Sequence, residues 1–212
     1  MIDIYADMVA SEMALHEMKA EEARVIDCAK RICVVFSDVD GVFTDNRVME
    51  GAPFKAKWRS YYDGQGVSLL RAIGIRIALI TNERDEAARH IEDVVQKWNN
   101  LPSSSKQEGD GGWPHVALYT GMGGPRKVEA AENFLAKTGI GFDDCAYIGD
   151  DLVDVPLLRK VALRAAPGNA DPAIKSLAHF VSERNGGSGG FRDFANFILA
   201  CRSINPLTLP PQ

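Results

Sequence analysis

Apolar residues fall in short unbroken runs, separated by polar turns and by stretches of helical period. Ile32 to Phe36 is such a run with polar neighbours. It suits a strand covered on both faces, the situation of a parallel sheet under helices. Ile75 to Ile80, apolar except for Arg76, predicts a second strand. Val116 to Tyr119, Cys145 to Ile148 and Ala162 to Ala166 predict three more, and His179 to Ser182 a short last one. Helical spacing lies between them. Asp63-Gly64-Gln65-Gly66 opens a helix carrying Val67, Leu70 and Ile73, and Gly74 stops it. Ala87, Ala88, Ile91, Val94, Val95 and Trp98 line the next. Pro125 begins another with Val128, Ala131, Phe134 and Leu135 on its buried face, and Asp171 to Ala178 a further one. Phe191, Phe194 and Ile198 mark the last.

The segments around this frame differ in kind. Residues 1–30 contain no Pro or Gly and are rich in Ala, Glu and Met, which predicts a helical lead-in over roughly 11–30. Residues 43–60 predict a β-hairpin, with Arg47 to Met49 and Phe54 to Trp58 flanking the turn Glu50-Gly51-Ala52-Pro53. Residues 99–114 are rich in Ser, Gly and Asn without periodicity and predict a mobile surface insertion. The tail, 203–212, ends Pro-rich and extended. Strands alternating with helices over 31–202 predict an α/β fold, a doubly wound parallel sheet.

Composition narrows the function. A chain of 212 residues, 46% hydrophobic and 25% charged, suits one soluble globular domain. A net charge of −5 argues against nucleic acid as a partner. The four cysteines, Cys28, Cys33, Cys145 and Cys201, have no metal spacing and sit in or beside apolar runs. They predict buried free thiols in a reducing compartment. No stretch is long enough to span a membrane and no cleavable leader is visible, so a cytoplasmic protein is expected.

The chemistry-bearing residues collect where predicted strands end or helices begin. Asp38 and Asp40 follow the first strand; their two-residue spacing returns both carboxylates to one side, and Gly41 lets the chain turn away. Thr81-Asn82 ends the second strand. Lys127 stands in the first turn of a helix, where a cation is unfavourable, so it calls for an anionic partner. Gly149-Asp150-Asp151-Leu152-Val153-Asp154 follows the fourth strand, with three carboxylates that repel one another unless something positive sits among them. Clustered carboxylates suit Mg²⁺, a hard cation with oxygen ligands. An Asp nucleophile, a hydroxyl, an ammonium and a second acid are what an acyl-phosphate route requires.

Asp38-Val39-Asp40-Gly41-Val42-Phe43-Thr44-Asp45, Thr81, Lys127 and Gly149 to Asp154 resemble the four motifs of the haloacid dehalogenase (HAD) superfamily. Their order and spacing are similar to its capless branch, the 3-deoxy-D-manno-octulosonate (KDO) 8-phosphate phosphatases, and to the C-terminal domains of some acylneuraminate cytidylyltransferases. The resemblance implies a Rossmann-like fold with a hairpin flap and a Mg²⁺-dependent phosphatase. It makes Asp38 nucleophile and metal ligand. Asp40 becomes general acid/base and ligates the metal through its carbonyl. Thr81 and Lys127 hold the phosphoryl group, and Asp150 binds metal with Asp151 and Asp154 beside it. Asn82, Arg84, Gly64 and Arg192 are the implied substrate contacts.

Only about 40 residues separate Asp38 from Thr81, too few for a cap domain. The family closes its open sites with neighbouring subunits, so a homotetramer with residues 43–60 at the interface is expected. Departures touch the substrate. Tyr62 replaces a usual basic residue and Ser188 a usual Arg, while Asn82-Glu83-Arg84 is closer to the cytidylyltransferase-linked domains. Lys57, Arg59 or Arg84 are candidates for the missing cation. The sugar is then KDO 8-phosphate or a sialic-acid-type (nonulosonate) 9-phosphate; a non-catalytic oligomerisation module is the remaining alternative.

Overall fold

A computed structural model describes residues 4–51, 54–106 and 108–210. In chain order the elements are α1 (Ile4–Arg31), β1 (Val34–Ser37), β2 (Thr44–Gly51), β3 (Phe54–Arg59), α2 (Tyr61–Ala72), β4 (Arg76–Ile80) and α3 (Arg89–Asn99). There follow β5 (Ala117–Tyr119), α4 (Arg126–Leu135), β6 (Cys145–Ile148), α5 (Val155–Leu158), β7 (Leu163–Ala166), α6 (Pro172–Leu177), β8 (Phe180–Val181) and α7 (Gly190–Cys201).

Six strands form one parallel sheet in the order β5-β4-β1-β6-β7-β8. Alternate residues of each strand feed two different cores. Val35, Ile77, Leu79, Ala146 and Ile148 face α1, α2, α3 and α7 through Ala29, Leu70, Ile91 and Phe194. Val34, Phe36, Ala78, Cys145 and Tyr147 face α4, α5 and α6 through Ala131, Leu158 and Ile174. Burial on both faces is why the central strands β1, β4 and β6 are predominantly apolar. The chain leaves β1 for β4 and β5 on one side, then returns to β6 on the other. That reversal opens a crevice at the carboxyl end of β1, where ligands bind in such sheets.

The hairpin forms a separate two-stranded sheet of β2 and β3. Its expected turn includes Ala52 and Pro53, which lie outside the described residues. Among the described residues, the chain between β1 and β4 builds this hairpin and α2, with no cap domain.

Several expectations need correction. The second helix starts at Tyr61, because the Ser60 side chain accepts from Tyr62 N and caps it; Asp63 and the glycines lie inside its first turns. The insertion is not a loose surface loop. Ser104 and Trp113 are buried, and the buried Arg71 guanidinium donates to Pro114 O at 2.7 Å, to Trp98 O at 3.1 Å and to Ser104 Oγ. Arg76 ties Glu108 to the amino end of β4, so the insertion sits opposite the crevice. On α4 the buried positions are Lys127, Ala130, Ala131 and Leu135, while Val128 and Phe134 are half-buried. The tail makes a 3-10 turn at Pro206–Thr208, capped by Asn205, instead of staying extended. Cys28 and Cys145 are buried free thiols, Cys201 is half-buried, and Cys33 is exposed just before β1.

Candidate active site

Four segments converge at the carboxyl ends of β1, β4 and β6. Asp38 extends β1, its backbone N–H donating to Ile148 O at 3.0 Å. Val39 then turns the chain back, its carbonyl accepting from Val42, Phe43 and Thr44. Gly41 has φ +82°, and a Cβ there would lie 1.8 Å from Asp150 Oδ2. Only glycine permits that approach of the first acid pair to the second acid cluster.

Lys127 finds the anionic partners its helix position calls for. Its ammonium, almost wholly buried, lies 2.9 Å from Asp38 Oδ2 and 2.5 Å from Asp154 Oδ1. Burial alone would lower its pKa, but the Asp38 and Asp154 charges outweigh this and raise it. Asp154 is fully occupied. Oδ1 also accepts from the buried Tyr147 hydroxyl at 2.6 Å, and Oδ2 accepts from the backbone N–H groups of Asp150 and Asp151 at 2.9 and 3.1 Å. This carboxylate therefore fixes both the lysine and the loop after β6.

Carboxylate oxygens of Asp38, Asp150 and Asp154 lie within 4.8 Å of one another. Three negative charges against the single ammonium of Lys127 leave two uncompensated. Two of these carboxyls are raised as a consequence. Asp38 is pushed up to about 7, first by burial and then by the Asp154 charge, with Lys127 opposing. Asp150 is pushed up to about 8 by burial and then by Asp38, Asp154 and Asp151. An all-oxygen donor set lacking two positive charges fits a hard divalent cation. Asp38 and Asp150 fit as its ligands. Asp154 has its oxygens committed, and the exposed Asp151 uses Oδ1 to cap Leu152 N.

These residues border a cleft of about 410 Å³. Asp38, Asp40, Thr81, Lys127, Asp150 and Asp151 line it, with Asn82 and Arg84 at the side. Thr81 is buried and accepts from Glu83 N through Oγ1. Of the other expected substrate contacts, neither Gly64 nor Arg192 reaches this cleft within one chain. Gly64 packs at Trp98, and Arg192 donates to Asn196. Among the three cations considered as replacements, Lys57 is bound to Asp40 and Glu83, and Arg59 stacks on Tyr61. Arg84 lines the cleft.

Sequence reasoning missed Asn46 and the Tyr147 hydroxyl, and it named Lys57 and Glu83 without their partners. Asn46, at φ +63°, donates to Asp150 Oδ2 at 3.1 Å. Lys57 donates directly to Asp40 Oδ1 and, on its other side, to Glu83 Oε1. Tyr147 lies within an apolar strand, and a tyrosine there reads as core. Asn46 carried no signal of its own in the sequence, because a neutral amide beside a motif shows no partner a hundred residues away.

Known proteins resemble this chain in sequence and in fold. The sequence pattern of the haloacid dehalogenase-like hydrolases matches residues 2–191. The chain is 33% identical over 178 residues to KdsC, a 3-deoxy-D-manno-octulosonate 8-phosphate phosphatase of Yersinia pestis, covering 82% of this chain and 83% of that one. The crystal structure of the Yersinia pestis 3-deoxy-D-manno-octulosonate 8-phosphate phosphatase superposes with a TM-score of 0.69 at 29% identity, over 85% of this chain and 87% of that one. The cobalt-bound deoxy-D-mannose-octulosonate 8-phosphate phosphatase of Haemophilus influenzae gives 0.66 at 25% identity, over 83% and 92%.

Proposed function

Because this chain belongs to the haloacid dehalogenase-like hydrolases, we propose that it is a Mg²⁺-dependent phosphatase for a phosphorylated acidic sugar, with KDO 8-phosphate as substrate. The observation that carries this reading is the meeting of Asp38, Asp150 and Asp154 around Lys127 at the end of β1. The KDO 8-phosphate phosphatases of comparable length support the choice of sugar.

Mg²⁺, held by Asp38, Asp150 and the Asp40 carbonyl, would offset the repulsion between these acids and a phosphate dianion. The Asp38 carboxylate attacks phosphorus, forming an aspartyl-phosphate as the bond to the sugar oxygen breaks. Asp40 gives that oxygen a proton, then takes one from the water that hydrolyses the intermediate. Lys127 and Thr81 hold phosphoryl oxygens through both steps. Arg84 lines the cleft, and we assign it to the sugar carboxylate.

Among the described residues the cleft has no cap domain over it, and large apolar side chains stand exposed on the hairpin that follows β1. Met49, Trp58 and Tyr61 are 59%, 71% and 83% exposed on and beside the hairpin. These support a homotetramer in which neighbours cover the cleft and exclude water. Among the described residues no helix is long and apolar enough to cross a membrane; a cytoplasmic enzyme is the matching proposal.

Phosphate release from a panel of sugar phosphates, with and without Mg²⁺, tests the reading. KDO 8-phosphate should give the highest kcat/KM. A nonulosonate 9-phosphate is the comparison that the Asn82-Glu83-Arg84 sequence motivates, and a higher kcat/KM there would move the substrate to nine carbons. Absence of Mg²⁺-dependent release from every phosphomonoester would overturn the enzyme assignment.

A further inference from the structure

The hairpin carries a lysine that the reaction scheme above leaves unused. Lys57, on β3, has only 5% of its side chain exposed. Its ammonium lies 2.7 Å from Asp40 Oδ1 and 2.8 Å from Glu83 Oε1. Asp40 belongs to the turn after β1, and Glu83 to the loop after β4. One cation thus joins three separately folded segments at the rim of the cleft. Thr44 Oγ1 also donates to Asp40 Oδ1, at 3.1 Å. Both contacts fall on the same oxygen, which leaves Oδ2 to exchange the proton.

We propose that Lys57 is a positioning residue for the acid–base step: with Glu83 as its second anchor, it holds the Asp40 carboxyl against the leaving oxygen. The inference rests on the phosphatase reading and deepens it. A solvated lysine on a flap has many rotamers and contributes little to any one geometry. Here burial and two carboxylates select one. The proton moves from Asp40 to the sugar oxygen as the phosphorus–oxygen bond breaks, and its electron pair stays on that oxygen. A carboxyl misplaced by an ångström transfers that proton poorly. The hairpin accordingly serves the chemistry of its own subunit, besides any contact with neighbours.

Leaving groups of different basicity separate this role from a structural one. An alkoxide leaving from a sugar needs protonation; 4-nitrophenolate does not. In Lys57→Met, kcat/KM for the sugar phosphate should fall by about 10²-fold. The fall for 4-nitrophenyl phosphate should be at least about ten times smaller. Glu83→Gln should show the same selectivity with a smaller loss, and it keeps the test open if Lys57→Met does not fold. Asp40→Asn is the reference, with the strongest selectivity. Equal losses on both esters, or no loss, in a folded variant would overturn the inference. If Asp40→Asn is unselective, Asp40 is not the acid and the inference falls with that role; if the wild-type protein hydrolyses no phosphomonoester at all, it is the phosphatase reading that fails.

Discussion

Asp38 and Asp150 sit above the ordinary carboxylate value of 3.8, at about 7 and about 8, because they are buried among like charges. Between that ordinary value and about 8, the folded metal-free protein holds more protons than the unfolded chain. Its stability therefore falls as pH rises through this window. A divalent cation competes with those protons. The rise in Tm on adding Mg²⁺ should be small near about pH 5.5 and large near about pH 8.5, read by thermal unfolding at both. A rise independent of pH would contradict the ligand assignment. Asp154 acts differently, as the group that Lys127, Tyr147 and two backbone amides share. Asp154→Ala should cost roughly 3–5 kcal/mol in urea unfolding, since it strips a buried ammonium of one partner. Lys127 was legible because a cation in a helix's first turn is out of place. The Tyr147 hydroxyl was not, since period and hydropathy describe its ring and say nothing of its oxygen.

At the scale of elements, the strands of the parallel sheet were readable to within a residue or two because burial leaves a nearly unbroken apolar signature, while the exposed β2 begins three residues before its expected start. Links made by single polar side chains across the fold were not. Asp63 is one. Its buried carboxylate accepts from the N–H groups of Gly189, Phe191 and Arg192, against a burial that pushes it up to about 6. In sequence it read as a helix opening, since nothing local shows a partner more than a hundred residues away. The glycine loop it pins lies on the first motif: Gly187 N donates to Val42 O, and a Cβ on Gly186 would meet Gly41 O at 1.8 Å. Arg71 is the other. It joins α2 to the insertion through carbonyls that a sequence cannot reveal as acceptors. Arg71→Leu should destabilise the protein by roughly 2–4 kcal/mol and admit protease into 99–114. Because the insertion is opposite the cleft, kcat should stay within about twofold at a temperature where the variant is folded. A large loss of kcat there would show that the insertion bears on the site.

The whole molecule is an open α/β scaffold whose reactive edge has no lid of its own among the described residues. Met49, Trp58 and Tyr61 are exposed on and beside the hairpin and are the surface we propose a neighbouring subunit covers. A Trp58→Glu, Met49→Glu variant should shift the assembly to smaller species in analytical ultracentrifugation. It should also lower kcat/KM for the sugar phosphate by about tenfold or more, as the site loses its shielding. A wild-type monomer with full activity would contradict the tetramer. The order of the motifs along the chain announced this scaffold. The proposed cover came from the family resemblance and not from period or composition, because a partner's surface would leave its mark only on which side chains remain exposed after folding.

The account turns on Asp38 carrying the phosphoryl group. Steady-state phosphate release by Asp38→Asn, against the wild-type protein at saturating Mg²⁺ and KDO 8-phosphate, tests this most directly. The variant keeps the size of the side chain and loses the nucleophilic oxygen charge. Turnover should drop by at least about 10³-fold with the fold intact by circular dichroism. Turnover within a few-fold of wild type would place the nucleophile elsewhere.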